Sequence, residues 1–303
     1  MGAEFVALSL PSMLIGICVA VACALPGNFL LLRRQALIGD AISHVVLPGI
    51  VVAFLLTGLV ATGPMLVGAA AAAVLAVVAI EAIRRLGRIE AGAAMGVVFT
   101  AMFAGGVLLL EQSDTSNVHL DVEHALFGNL ESLIWLDATG WRSLLDLDAL
   151  ATIPVELPRM AVALIVICAF LYVFWRPLSV STFDEGYAQG LGIATAPLGL
   201  ALVVISAIAA VAAFDAVGSI IVIAMFICPP AAARMVTNRL GHQVAWSAAF
   251  AALAAIIGYV LAGYGPLWLG AYGSVSAAGM IATVSGVILA IAALAGPHRA
   301  PTA

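Results

Sequence analysis

No lysine occurs anywhere in this sequence, and eleven arginines carry all of its fixed positive charge. Charged residues of both signs fill only 9% of the 303 positions, against 64% hydrophobic ones. Soluble domains carry about a quarter charged residues. A water-covered surface cannot be built from so few charges, so the bilayer must be the main solvent. The formal net charge of −5 gives no footing for nucleic acid. The phosphate-binding pattern G-x-x-x-x-G-K-[ST] is excluded because it requires a lysine, so the chain cannot bind ATP by that route. Cysteines are scarce too. Cys18, Cys23, Cys168 and Cys228 lie in apolar runs without a C-x-x-C spacing. They read as small buried hydrophobes, not as a disulfide framework or ligands. No Lys or Arg precedes Arg33, so the basic start of a signal peptide is missing and an uncleaved first membrane helix is expected.

What is present is a succession of apolar runs. A membrane-spanning helix needs about 20 mostly apolar residues. Candidates lie at roughly 7–31, 36–59, 64–83, 90–110, 158–175, 195–214, 216–230, 244–263 and 274–296. The 216–230 run is short enough to be half of a broken helix, so the count is eight or nine. The expected fold is an all-α, polytopic membrane helix bundle forming a single domain over residues 1–303. Gly92 and Gly96 have the spacing of a close helix contact, although simple abundance of small residues explains them equally well.

The arginines orient the bundle. Arg33 and Arg34 follow the first run, Arg84, Arg85 and Arg88 the third, Arg176 the fifth, Arg234 and Arg239 the seventh, and Arg299 the last. With nine spans these all fall on one side, and only Arg142 and Arg159 fall on the other. The positive-inside rule then puts the N-terminus outside and the C-terminus in the cytoplasm. Residues 111–157 become extracytoplasmic, with Glu111, Asp114, Asp121, Glu123, Glu131, Asp137, Asp146, Asp148 and Glu156 against Arg142 alone. Such a mouth gathers cations, but a solvated loop would look the same. Trp135 and Trp141 suit an interfacial belt on that side.

Asp40 stands in the first half of the second span. A lone charge at the bilayer centre costs roughly 2.5–3.5 kcal/mol on insertion scales, so it must face a cavity or a partner. His44 follows four residues later, and four residues turn a helix by about 400°, so the two side chains stack on one face. A carboxylate oxygen and an imidazole nitrogen can both reach one divalent ion at about 2.0–2.2 Å. Two ligands make a weak site, which suits a carrier that must release its cargo. A second copy facing the first would supply two more. Pro48, four residues on, offers no N–H to the His44 carbonyl and leaves it free. A buried Asp–His hydrogen bond joining helices fits the same spacing. Weaker metal candidates are Asp215, which could equally cap the following helix, and Glu123 with His124 near His119 and Asp121, where a plain polar loop is the simpler reading.

The segment Gly39-Asp40-Ala41-Ile42-Ser43-His44-Val45-Val46-Leu47-Pro48-Gly49 resembles the G-D-A-[IL]-S-H-x-x-L-P-G signature of the permeases of bacterial metal-ion ABC importers. Three further blocks follow in family order. His124 to Asn129 resembles its L-F-G segment. Arg176-Pro177-Leu178 through Phe183 to Ala188 and Leu191-Gly192-Ile193 is similar to its cytoplasmic stretch. Ala216 to Met225 with Pro229 to Arg234 resembles its late helix. The resemblance implies an ABC importer permease that moves manganese, zinc or iron ions past Asp40 and His44, with no permanently bound cofactor and no enzymatic activity of its own. It implies a cytoplasmic ATPase, an extracytoplasmic metal-binding lipoprotein and a second permease copy, all in a bacterial inner membrane with lipid as the remaining partner. It places a coupling helix at about 231–242, with Arg234 and Arg239 as partner-binding residues. Residues 130–157 depart from the pattern, being longer than the usual connection. Two other readings stay open: a carrier driven by an ion gradient, with Asp40 and His44 relaying protons, and an ABC permease for a metal chelate. The choice of metal is not legible in the residues.

Overall fold

The computed structural model describes residues 2–58, 62–112, 128, 130–268, 270 and 275–297. The described residues form helices and connecting turns, with no strand among them. A short α1 (Gly2–Leu8) leads almost without a break into α2 (Leu10–Leu32). Then come α3 (Ile38–Thr57), α4 (Thr62–Gly87) and α5 (Ala91–Gln112). Two 3-10 turns, Leu130–Ser132 and Trp141–Leu145, and a one-turn α6 (Leu147–Leu150) precede α7 (Glu156–Val173). Two short helices follow, α8 (Trp175–Phe183) and α9 (Glu185–Gly190). The series closes with α10 (Thr195–Val236), α11 (Leu240–Trp268) and α12 (Ala277–Ala295).

The helix ends are set by local chemistry. Asp184 caps α9 by accepting a hydrogen bond from the Tyr187 N–H at 2.8 Å, and Ser276 caps α12 through the Gly279 N–H. The exit from α2 is less usual. The Arg34 N–H donates to the Leu31 carbonyl and the Gln35 N–H to the Leu30 carbonyl, which is the paired bonding of a Schellman cap. Such a cap puts its turning residue in the left-handed region, where glycine is preferred, yet here Arg34 occupies it at φ 58°.

The 42-residue α10 settles whether eight or nine stretches cross. Gly218, at φ 70° and ψ −177°, interrupts it. Gly199 in its first arm lies against the Arg33 guanidinium, while Phe226 in its second arm packs on Gly39 and Gly27. Both arms therefore reach the end of the bundle where α2 finishes and α3 begins. The middle of α10, at Val217 and Gly218, instead meets Gly128 at the opposite end. The helix doubles back at Gly218. Nine stretches among the described residues are long and apolar enough to cross a membrane, with Thr195–Phe214 and Ala216–Val236 as separate members. That odd number agrees with the one-sided arginine pattern.

Gly128 shows why the reversal needs glycine twice. It sits at φ 67°, and a Cβ there would collide with the Val217 backbone. The close helix contacts are not at Gly92 and Gly96, which face open space. They lie between Gly49 and Gly68, joining α3 to α4, and between Pro48 and Gly106, joining α3 to α5.

The segment between α5 and α7 is a small lobe with its own core. Trp135 is 1% exposed among Val6, Leu10, Ala138 and Ala149. Its indole N–H donates to the Ala149 carbonyl at 2.9 Å, so it is a core residue and the belt position is left to Trp141, which is 57% exposed. The cysteines are free: Cys23 is buried, Cys18 and Cys228 are half-buried, and Cys168 is exposed on α7, where a spanning helix meets lipid. Gly128→Ala is expected to lower stability by about 2 kcal/mol or more, from a left-handed backbone and an overpacked contact together. Thermal unfolding in detergent checks this, and wild-type melting would contradict the account of the reversal.

Candidate functional site

Asp40 lies in the first turn of α3, where the helix dipole favours a negative group. His44 stacks one turn above it, and Nε2 of His44 approaches Oδ1 of Asp40 to 3.3 Å. The Asp40 side chain is 30% exposed and that of His44 29%. The other face of the same helix is sealed: Ile38 is 5% exposed, Ala41 2% and Val45 0%. The charged pair thus occupies the face of α3 that this chain leaves partly uncovered.

Two aromatic side chains of α5 wall the imidazole. Phe99 stacks on it with ring centroids 5.7 Å apart, and Phe103 meets it edge-on at 5.7 Å. They lie one helical turn apart, which is why both reach one ring. Above them Gly106 lets Pro48 approach α5, since a Cβ on Gly106 would stand 2.7 Å from the Pro48 ring. The phenylalanines fix the plane of the imidazole and keep water from one side of it. They offer no ligand atom. Among the described residues no group of three or more His, Cys, Asp or Glu comes together; the described pair is one carboxylate and one imidazole. Sequence reasoning names both and misses the phenylalanines, which lie some sixty positions away; their i, i+4 spacing was the available signal.

The other candidate residues do not join this pair in the described structure. Asp215 falls in α10 three residues before the reversal, and its side chain lies outside the described residues. Glu123 and His124, with His119 and Asp121, also lie outside them. Arg234 is in the last turn of α10, with its Nη1 buried and unpartnered, and Arg239 is exposed in the turn before α11. Residues 231–242 therefore make no helix of their own; they are the end of α10, a three-residue turn and the start of α11. The short helices at this end of the bundle are α8 and α9.

A cavity of about 760 Å³ opens beside them, lined by Arg33, Arg34, Glu81, Arg84, Glu185 and Thr195 among others. Ile38 and Ala41 also line it, so it lies roughly a third of a turn around α3 from the Asp40–His44 face. Burial draws the Arg33 pKa below its ordinary value and the Glu185 carboxylate opposes this.

The family model described as "ABC 3 transport family" matches residues 6–137 and 147–296. This chain belongs to the ABC 3 transport family. It is 37% identical over 282 residues to the manganese transport system membrane protein MntD of Bacillus subtilis, covering 93% of this chain and 90% of that one. It is 36% identical to the zinc transport system membrane protein TroD of Treponema pallidum, covering 94% and 73%. PsaBC from Streptococcus pneumoniae, solved in complex with a Fab, superposes with a TM-score of 0.72 at 26% identity, covering 95% of this chain and 91% of that chain. The family match breaks at 138–146. Those residues hold the Trp141–Leu145 turn of the lobe, which falls outside the matched stretches. Asp40, His44 and their aromatic wall all lie inside the matched range.

Gly106→Ala is expected to push α5 off Pro48, at a cost of about 1–3 kcal/mol typical of overpacking, and to shift Phe103 off the imidazole. A fall in metal uptake with the protein still inserted would agree. Unchanged uptake would show that the aromatic wall does not position His44.

Proposed function

We propose that this chain is the membrane permease of an ATP-driven importer of a divalent transition-metal ion, which passes Asp40 and His44 where two copies of the chain face each other. One observation carries the reading: an acidic and a basic side chain within a spanning helix lie half-open on a face their own chain does not cover. Ionisable groups left against lipid are costly. A second copy across that face removes the cost and brings the ligands to two carboxylates and two imidazoles, a set that can complete a four-coordinate site. Manganese in the Bacillus relative and zinc in the Treponema relative agree with this donor set, which also accepts Fe²⁺. Selection among the three rests on geometry and supply.

The energy comes from a separate ATPase on the arginine-bearing side, which the positive-inside rule makes cytoplasmic. We place its docking mainly on α8 and α9, the short helices at that end, where Phe183, Tyr187 and Leu191 are 61%, 60% and 57% exposed. Arg234 and Arg239 mark the neighbouring edge. An extracytoplasmic metal-binding lipoprotein delivers the ion to the opposite side, and the membrane is the bacterial plasma membrane, with the N-terminus outside.

Asp40→Ala in correctly inserted protein is expected to reduce ⁵⁴Mn²⁺ or ⁶⁵Zn²⁺ uptake by about tenfold or more, the effect of losing a metal ligand. Uptake equal to wild type would remove Asp40 from the path. ATP depletion should stop uptake while an uncoupler alone spares it; the reverse result would establish the gradient-driven carrier instead. For docking, Tyr187→Asp with Leu191→Asp should abolish co-purification of the ATPase. Loss on charge reversal at Arg234 and Arg239 alone would return the docking site to 231–242.

A further inference from the structure

Arg33 closes α2 and reaches across to α8. Its Nε donates to Thr182 Oγ1 at 3.0 Å and its Nη2 to Ser181 Oγ at 2.7 Å. Ser181 is buried and passes its own proton to the Pro177 carbonyl at 2.7 Å, one turn back along α8. Nη1 of the same guanidinium lies against Gly199 in the first turns of α10. One side chain therefore touches three elements: the end of α2, the inner face of α8 and the start of α10.

The corner that follows Arg33 has little slack. Arg34 takes the left-handed turn, Gln35 bonds back to Leu30, Ile38 to Gln35 and Ala41 to Leu37. A chain so bonded moves as a unit, and its next residues are Asp40 and, a turn later, His44. Beside the corner lies the 760 Å³ cavity, whose lining includes Arg33, Ser181 and Thr182 as well as Ile38 and Ala41 of α3. Empty space transmits no push. The guanidinium bonds tie α8 to the end of α2, and the hydrogen-bonded corner carries that tie on to the foot of α3.

The geometry points to Arg33 as a positioning residue: the strut through which movement of α8 and α9 reaches the Asp40–His44 helix. This rests on the docking and pore placements proposed above. The bidentate, planar guanidinium suits the task, because two bonds to adjacent hydroxyls fix direction as well as distance. A residue that only marked topology would need no such partners, and one that only held the fold together would lower protein yield without altering the yield of transport per ATP.

The test uses the full permease reconstituted with its ATPase and binding protein, reading ATP hydrolysis and ⁵⁴Mn²⁺ transported in the same vesicles. Arg33→Ala is expected to retain the bound ATPase and its hydrolysis while transport per ATP falls about tenfold, a usual size for coupling between two sites. Arg33→Lys, which can reach one hydroxyl but not both, should recover part of it. Ser181→Ala with Thr182→Val removes the acceptors without touching α2 and should reproduce the loss. This pair decides the matter if Arg33→Ala fails to insert. Transport per ATP within twofold of wild type in the double variant overturns the strut. Wild-type uptake that ignores ATP would overturn the proposed function, and the strut with it; ATP-coupled uptake that is equal in wild type and Arg33→Ala overturns the strut alone.

Discussion

A carboxylate and an imidazole on a spanning helix cannot be left against hydrocarbon, and most of this architecture can be understood as meeting that demand. α3 carries the pair, and the helix is clasped on its remaining sides. Phe226 of α10 covers Gly39, Gly68 of α4 meets Gly49, and Gly106 of α5 meets Pro48. Each clasp exploits a missing side chain, which lets backbones close in where hydrophobic driving force between helices is weak. The face left over is the one bearing Asp40 and His44.

This division gives the Gly39–Gly49 segment a physical reading. Within one stretch, two residues are ionisable and three make close contacts. Gly39, Pro48 and Gly49 hold the helix against three different neighbours, so the helix cannot rotate to hide the charged pair inside the bundle. The reversal of α10 serves the same end. It brings Phe226 back to the level of Gly39, and it depends on Gly218 and on the close seat of Gly128, far away in sequence.

The spans were legible in the sequence, because about 20 apolar residues are a linear signal, while the choice between eight and nine waited on the reversal at Gly218. The Asp40–His44 pair was legible for the same reason, being a spacing within one helix. What the sequence concealed depends on contacts between distant segments. Phe99 and Phe103 read as ordinary apolar residues of α5 until α3 is laid beside them. Trp135 read as a belt residue because nothing local shows that Ala149 and Thr152 return to receive its N–H. Gly92 and Gly96 had the right spacing and face open space, since spacing finds a small-residue face without saying what lies opposite. The coupling helix at 231–242 came from the family resemblance, and the fold instead runs α10 through Pro229 and Pro230 to Val236.

The distribution of packing along α3 also bears on how a permease of this kind can open. The outer half of α3 is wedged between α4 and α5 at Gly49 and Pro48, where backbones and rings touch, and close-packed contacts resist displacement. The inner half, at Ile38 and Ala41, borders the 760 Å³ cavity. Pro48 separates the two halves and withholds the N–H that would stiffen the turn above His44. The inner half is clasped by Phe226 at Gly39 yet meets open space beside Ile38 and Ala41, so it has more room to shift than the outer half. Asp40 and His44 sit on that inner half, so a displacement there carries both side chains with it.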